Sequence, residues 1–288
     1  MKYEEYINKL GFTDEELIII SDVDKRCREY FTEDISLARK AYDKGEEGFA
    51  EYLSAFSEKS DIPLNTLTLY IYLRLLEDTY KEYEKMGIDK PIFFATMEDF
   101  AVVSRLPLYN DEPFGISKET FLPWLRRNVD CIIYRIGNLE FEIMDALCDM
   151  EIDGKSIKEG KTCIAVHIPR KVDFSEEFCE DSYRCARDFF KKYYNMENMI
   201  FMCWSWLLYP WLCEVLPEES SIVKFQKKFK IIKIYEDNCG LYSLFEGCLG
   251  KGGKAPIEDL PENTSLRRAA KKRLSEGGNL GRGLGIRL

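Results

Sequence analysis

Histidine occurs once in this chain of 288 residues, at position 167, and none of the ten cysteines stands in a C-x-x-C pair. Structural zinc sites are built from those two residue types, so no metal is expected. No apolar run of about 18 residues is present to span a bilayer, and the opening MKYEEYINKL is charged and amphipathic where a secretory signal would be apolar. The expectation is a soluble, cytoplasmic protein without a membrane partner. A G-x-S-x-G elbow is missing as well, and with one histidine a Ser-His hydrolase is disfavoured. Positive charge is in the minority: 41 Lys and Arg face 51 Asp and Glu, a net of −10, which argues against nucleic acid as a partner.

The cysteines lie mostly inside apolar stretches and read as reduced, buried small hydrophobes. Charge is unevenly spread. Residues 251–288 hold nine Lys and Arg against four Asp and Glu, so this tail is +5 and the remainder −15. Within it, Asn263 or Thr264 is placed to cap a short basic helix, SLRRAAKKRL, which either recruits an anionic cofactor or partner or is a solvated face. Nine of the eighteen glycines fall between Gly247 and Gly285, where loops are expected. Gly247, Gly250, Gly252 and Gly253 with Lys251 and Lys254 could cradle a phosphate or simply form a connector.

At this length two domains are the better expectation. Residues 1–128 read as helical. Thr13 and Glu16 have capping-box spacing, Asp34 opens a periodic segment through Phe56, and a third segment begins after Pro63 and stops at Gly87. Leu64, Leu67, Ile71, Leu75 and Tyr80 line roughly one face of it. Thr96 with Asp99, and Ser117 before FLPWLRR, start two further short helices. From Val129 the pattern changes to CIIYRI, an alternating LEFEI and an Asp153-Gly154 turn, so 129–288 reads as the second domain.

Thr162 to Glu236 reads strand, helix, strand, helix, strand. TCIAVHIP is almost unbroken apolar and β-branched, as a strand covered on both faces is. Asp173 and Glu176 have capping-box spacing before a helix to about Tyr194, whose stripe is Phe178, Ala186, Phe189 and Tyr193. A second strand runs from Met199 to Leu208 and a third from Lys230 to Tyr235. The crossover predicts parallel pairing, with His167 and the Ser205–Tyr209 segment at neighbouring carboxyl ends. A lone histidine in an apolar strand is as readily a hydrogen-bonded core residue as a catalyst. Trp204 and Trp206 share a face on such a strand and read as core aromatics; Cys203 and Ser205 share the other. If His167 faces the same way as Ser205, it could activate that hydroxyl or a substrate nucleophile.

Several separated segments carry a resemblance: YRIGNLEFE (134–142), VHIP (166–169), SYRCARDFF (182–190), CWSWLLYPWL (203–212), SSIVKFQKKFKI (220–231) and LPENTSLRR (260–268). They resemble the GNAT-like C-terminal domain of a bacterial family of acyltransferase domain-containing proteins. TMEDF (96–100) and FLPWL (121–125) resemble its companion, a helical N-acyltransferase N-terminal domain. The resemblance implies an α+β or α/β fold, a helical domain followed by a mixed sheet with flanking helices. It implies acyl-CoA as co-substrate and direct acyl transfer to an amine or other small acceptor. Glu142, His167, Cys203, Ser205 and Trp206 fall on its pattern, with Glu142 or His167 as base, Ser205 in the polar set and Tyr209 as acid. Ile168, Arg170, Lys171, Cys203 and Trp206 are implied around the cofactor. Relatives of this kind hold pyrophosphate on a glycine turn; here the connection is Arg170-Lys171-Val172-Asp173, without glycine, so Arg170 and Lys171 would supply charge instead. Asn138, Glu140 and Ser221 also depart from the pattern. A catalytically silent small-molecule-binding fold and an interaction protein are the rival readings. A homodimer is left open. A gap between the strands ending at Pro169 and Leu208 would admit a pantetheine arm, whereas a closed junction would favour the silent readings.

Overall fold

A computed structural model describes residues 3–30, 35–117, 122–152, 154–170, 172–249 and 255–288. Two compact units are present, Met1–Tyr134 and Arg135–Leu288. The first is helical: α1 (Tyr3–Tyr6), α2 (Asp14–Tyr30), α3 (Ser36–Asp43), α4 (Glu46–Ser60), α5 (Leu64–Met86), α6 (Lys90–Met97), α7 (Asp99–Val103) and α8 (Leu122–Val129). The α2 start is a reciprocal box, Thr13 N–H to Glu16 Oε2 at 2.8 Å and Glu16 N–H to Thr13 Oγ1 at 3.3 Å. Helix α5 stops where Gly87 turns left-handed at φ 71°. It is the centre of the unit, with Leu67, Leu69, Ile71, Leu73, Leu75, Leu76 and Tyr80 all buried. Two of its polar side chains tie it to the segment around α8: Tyr72 Oη donates to the Leu122 carbonyl at 2.6 Å and Thr79 Oγ1 to that of Val129 at 2.9 Å.

Two boundaries differ from expectation. The segment expected as one run to Phe56 is split into α3 and α4 at Gly45, whose φ of 99° no helix accommodates; Asp34 lies outside the described residues. Thr96 is inside α6, its hydroxyl bonded back to the Ile92 carbonyl at 2.7 Å, and the residue that precedes α7 is Glu98. Helix α8 begins at Leu122, and the residues joining it to Ser117 lie outside those described. Among the described residues no helix is long and apolar enough to cross a membrane.

Strand β1 (Ile133–Ile136) spans the division, and the second unit carries β2 (Leu139–Asp145), β3 (Met150–Ile152), β4 (Lys155–Ile157), β5 (Thr162–His167), β6 (Phe201–Ser205), β7 (Lys230–Tyr235) and β8 (Arg282–Arg287). Helices α9 (Glu176–Tyr194), α10 (Leu212–Val215), α11 (Ser221–Lys227), α12 (Cys239–Leu244) and α13 (Ser265–Ser275) flank them. The main sheet has the order β1-β2-β5-β6-β8-β7, and β3 and β4 form a separate hairpin. It is mixed: β5 and β6 run parallel, while β2 with β5, β6 with β8 and β7 with β8 are antiparallel. The hairpin turns at Gly154 (φ 73°); Asp153 lies outside the described residues. Its Met150, Ile152 and Ile157 pack with Cys163, Met202, Leu284 and Ile286 on one sheet face. Helix α9 covers the other, where Tyr183 meets Phe141 and Phe201 with ring centroids 5.7 and 5.0 Å apart.

Helix α9 ends at Tyr194 as expected but opens differently. Asp173 Oδ1 accepts from the Ser175 N–H two residues on, at 2.9 Å, rather than forming a box with Glu176. Its stripe is Cys179, Tyr183, Ala186, Phe189 and Phe190, and Phe178 is exposed. The second strand ends at Ser205 instead of Leu208, because Ser205 Oγ accepts from the Leu207 N–H at 3.2 Å and starts a 3₁₀ turn, Trp206–Leu208. The Lys230–Tyr235 strand does not extend a parallel series. Between it and β6 runs β8, Arg-Gly-Leu-Gly-Ile-Arg, in the glycine-dense tail expected to be loop.

The glycines of β8 are there for close approach. A Cβ on Gly283 would stand 2.4 Å from the Leu208 carbonyl oxygen, and one on Gly285 would stand 2.9 Å from Leu208 Cδ1. The turn after β6 therefore lies directly on β8. Gly283→Ala is expected to lower stability by about 2 kcal/mol through forced displacement of that turn, read from urea unfolding; a midpoint equal to wild type would contradict this packing.

Candidate functional site

Alternation sorts the side chains at the centre of the sheet onto two faces. In the β2–β5 register, Glu140 lies opposite His167, Glu142 opposite Ala165 and Met144 opposite Cys163. Ala165 in turn lies beside Met202 of β6. Glu142, His167, Met202 and, two residues on, Trp204 therefore share the face of the β3–β4 hairpin. Phe201, Cys203 and Ser205 turn to the α9 face. The faces of His167 and Ser205 do not coincide, so His167 has no Ser205 hydroxyl to activate.

His167 and Glu142 are brought together. Nε2 of His167 lies 2.9 Å from Glu142 Oε2, with the imidazole 26% and the carboxylate 10% exposed. This contact orients the imidazole against a carboxylate. Glu140, also buried, stands directly across from His167 and adds a second carboxylate to this face.

The junction beside this pair is not closed. Strands β5 and β6 match only at Ile164–Phe201 and Ala165–Met202. Beyond those, β5 continues to His167 against β2, and β6 continues to Ser205 against β8. The carboxyl ends part from each other while each keeps its outer neighbour. The connection that follows β5 is tied back by Asn138, whose Nδ2 donates to the Asp173 carbonyl at 2.8 Å and whose backbone N–H donates to Ser182 Oγ at 2.9 Å.

The remaining candidates are placed elsewhere. Ser205 is a cap, and Cys203 is buried on the α9 side, where desolvation pushes its thiol up to about 12. Trp206 belongs to the 3₁₀ turn and packs against the cluster of Tyr209, Trp211, Leu212, Phe245 and Leu280. Tyr209 points past the start of β8: its hydroxyl donates to Glu236 Oε2 at 2.6 Å and accepts from Arg273 Nη2 at 3.0 Å. Burial and then the Glu236 bond raise its pKa. Ile168 is half-buried just after β5. Arg170 is ion-paired with Glu246. Lys171 lies outside the described residues, as do Gly250–Lys254 of the glycine loop.

The basic helix forms as α13 with Thr264 as its cap, accepting from the Arg267 N–H at 3.1 Å. Its cations serve the unit itself: Arg267 donates to the Leu244 carbonyl, Arg268 to that of Glu262, and Lys271 pairs with Glu262. Trp204 is the residue that sequence reasoning misplaced. Read as core, it is 45% exposed on the His167 face, with the Arg282 guanidinium 3.9 Å from its ring centre. Only the parallel register, which no local pattern encodes, would have shown that. None of the ten cysteines is joined in a disulfide. Among the described residues no group of three or more His, Cys, Asp or Glu is placed to hold a metal ion.

A family model described as the N-acyltransferase N-terminal domain matches residues 1–131, and one described as the GNAT-like C-terminal domain matches residues 133–287. No curated protein matches the chain. Similar solved structures include an acyltransferase in complex with decanoyl-CoA and teicoplanin, at TM-score 0.66 and 20% identity over 78% of this chain and 66% of that one. Another is an acyltransferase in complex with decanoyl-CoA, at 0.64 and 22% over the same shares. A third is an acyltransferase mutant in complex with octanoyl-CoA, at 0.73 and 16% over 99% and 86%. The chain thus spans just under two thirds of the first two. At such identities the likeness speaks for the fold. The two domain matches together run through almost the whole sequence, and the chain belongs to the family that joins an N-acyltransferase N-terminal domain to a GNAT-like C-terminal domain.

Proposed function

We propose that this chain is an acyl-CoA-dependent acyltransferase that passes an acyl group directly from the thioester to an amine or other small acceptor. The observation that carries the reading is the parting of β5 from β6 after two residue pairs, beside the His167–Glu142 pair. A pantetheine arm is narrow and carries amides, so it suits a slot whose β5 edge offers backbone groups with no strand opposite. Acyl-CoA complexes of structurally similar acyltransferases support the choice of donor.

In this reading His167 takes the proton of the acceptor as its nitrogen attacks the thioester carbonyl. The C–S bond breaks, the new C–N bond stays, and CoA leaves as thiolate. Glu142 keeps the imidazole in the right tautomer and stabilises the imidazolium that forms. Tyr209 takes no part, since its hydroxyl is given to Glu236. The pyrophosphate would meet the N–H groups opening α9. One observation favours a second reading, a catalytically silent binding module: Arg170 is already paired with Glu246, and α9 opens on Glu176 and Glu177.

Octanoyl-CoA at a hundred times its dissociation constant should stabilise the folded chain by about 2.7 kcal/mol, measured as a thermal shift. No shift with any thioester would remove the enzyme. Glu142→Gln and His167→Ala should each lower kcat by about 100-fold while octanoyl-CoA affinity is kept; unchanged kcat would return both residues to a packing role. Because burial keeps Cys203 protonated near neutral pH, mass spectrometry after incubation with octanoyl-CoA alone should show no adduct on it. An octanoyl-Cys203 species would overturn direct transfer.

A further inference from the structure

His167 and Trp204 stand in equivalent places on two diverging strands. Each is two residues beyond the last matched pair, Ala165 and Met202, and both lie on the same sheet face. The opening therefore has an imidazole on one bank and an indole on the other. The neighbours preceding them on that face, Cys163, Ala165 and Met202, are buried, whereas Trp204 is 45% exposed.

An exposed indole on a strand end is ordinarily free to change rotamer. This one is held. Arg282, directly opposite Tyr235 in the β7–β8 register, sets its guanidinium 3.9 Å from the Trp204 ring centre and is fixed there by Asp237 at 2.6 Å. The Tyr235 ring lies 5.5 Å away at 50°, with Lys233 Nζ in turn 4.8 Å from the Tyr235 ring centre. A half-exposed apolar plane held by a cation and an aromatic ring is built for stacking.

We propose that Trp204 is the acceptor-selecting residue of the transfer site: a platform on which a flat ring of the acceptor lies while its nucleophile reaches His167. This rests on the reading of His167 as the base. The occupant is the acceptor rather than the acyl-CoA, because the base that must meet the nucleophile is on this face, while α9, whose N-terminus would face the phosphates, packs on the other. The chemistry shared by candidate acceptors is a planar apolar surface, aromatic or the hydrogen-bearing face of a sugar.

The test uses the full chain as wild type, Trp204→Ala and Trp204→Phe, with three amines: 2-phenylethylamine, glucosamine and n-hexylamine. Calorimetric binding of each amine is measured alone, and KM for each is measured with octanoyl-CoA. A ring-bearing amine should bind wild type better than hexylamine, and Trp204→Ala should weaken it by about tenfold. Trp204→Phe should restore most of that, and octanoyl-CoA affinity should be equal in all three. Which ring responds separates an aromatic from a sugar acceptor. Equal binding of ring-bearing amines to wild type and Trp204→Ala, or no preference of the wild type for rings, overturns the proposal. Loss of ring selectivity in Trp204→Ala when octanoyl-CoA binds nothing would sink the transferase reading and leave the platform standing.

Discussion

A parallel strand pair that ends after two residues is the constraint on which the second unit turns. Backbone N–H and C=O groups require partners wherever they are removed from water, and one left unmade in a dry interior costs about 1–3 kcal/mol. Strands β5 and β6 can part only because each has another neighbour along its full length, β2 for one and β8 for the other. The edges that face each other across the gap must then be wetted or filled. In the proposed function, those edges beside a carboxylate-held imidazole are where an amide-bearing chain would lie.

The second constraint is register. Side chains alternate, so a one-residue slip of β6 against β8 would turn Cys203 and Ser205 to the open face and drive Trp204 toward α9. The pairing Cys203–Gly285 and Ser205–Gly283 prevents this: those two β8 positions have no room for a side chain beneath Leu208. Shifting the strand would bring Leu284 or Ile286 under that turn. Two glycines thus determine which residues of β6 line the opening, although neither is near the imidazole in sequence.

The helical half was legible because its signals are local. Thr13 with Glu16 and the Gly87 stop act within a few residues, and both form as read. The strand carrying His167 was legible for the same reason, since a run such as Thr-Cys-Ile-Ala-Val has few other uses. What escaped depends on distant partners. Strand β8 hides among glycines whose purpose is the approach of Leu208, some 75 residues earlier in the chain. The end of β6 is decided by a single Ser205 hydroxyl choosing the Leu207 N–H. The alternation that paired Trp204 with Trp206 fails there, because the chain has left the strand. Arg170 looked free in sequence, and Glu246, which takes it, is separated from it by four helices and two strands. The basic helix was identified, but its role depended on carbonyls supplied by residues before it.

The solitary histidine has a consequence for how the proposed reaction returns its proton. An amine attacking a thioester must lose a proton, and the departing thiolate must gain one. Tyr209, the hydroxyl expected as the acid, is committed to Glu236 and Arg273 on the β7–β8 side and raised in pKa by burial, so it is held where the thiolate would not be. In the proposed reaction the proton taken by His167 resides on an imidazolium stabilised by Glu142 at the edge of the same opening from which the sulfur leaves. Delivery from there returns His167 to the neutral form without a second titrating group. One imidazole, oriented by one carboxylate, is then sufficient for the whole cycle, which fits a chain that has only one to offer.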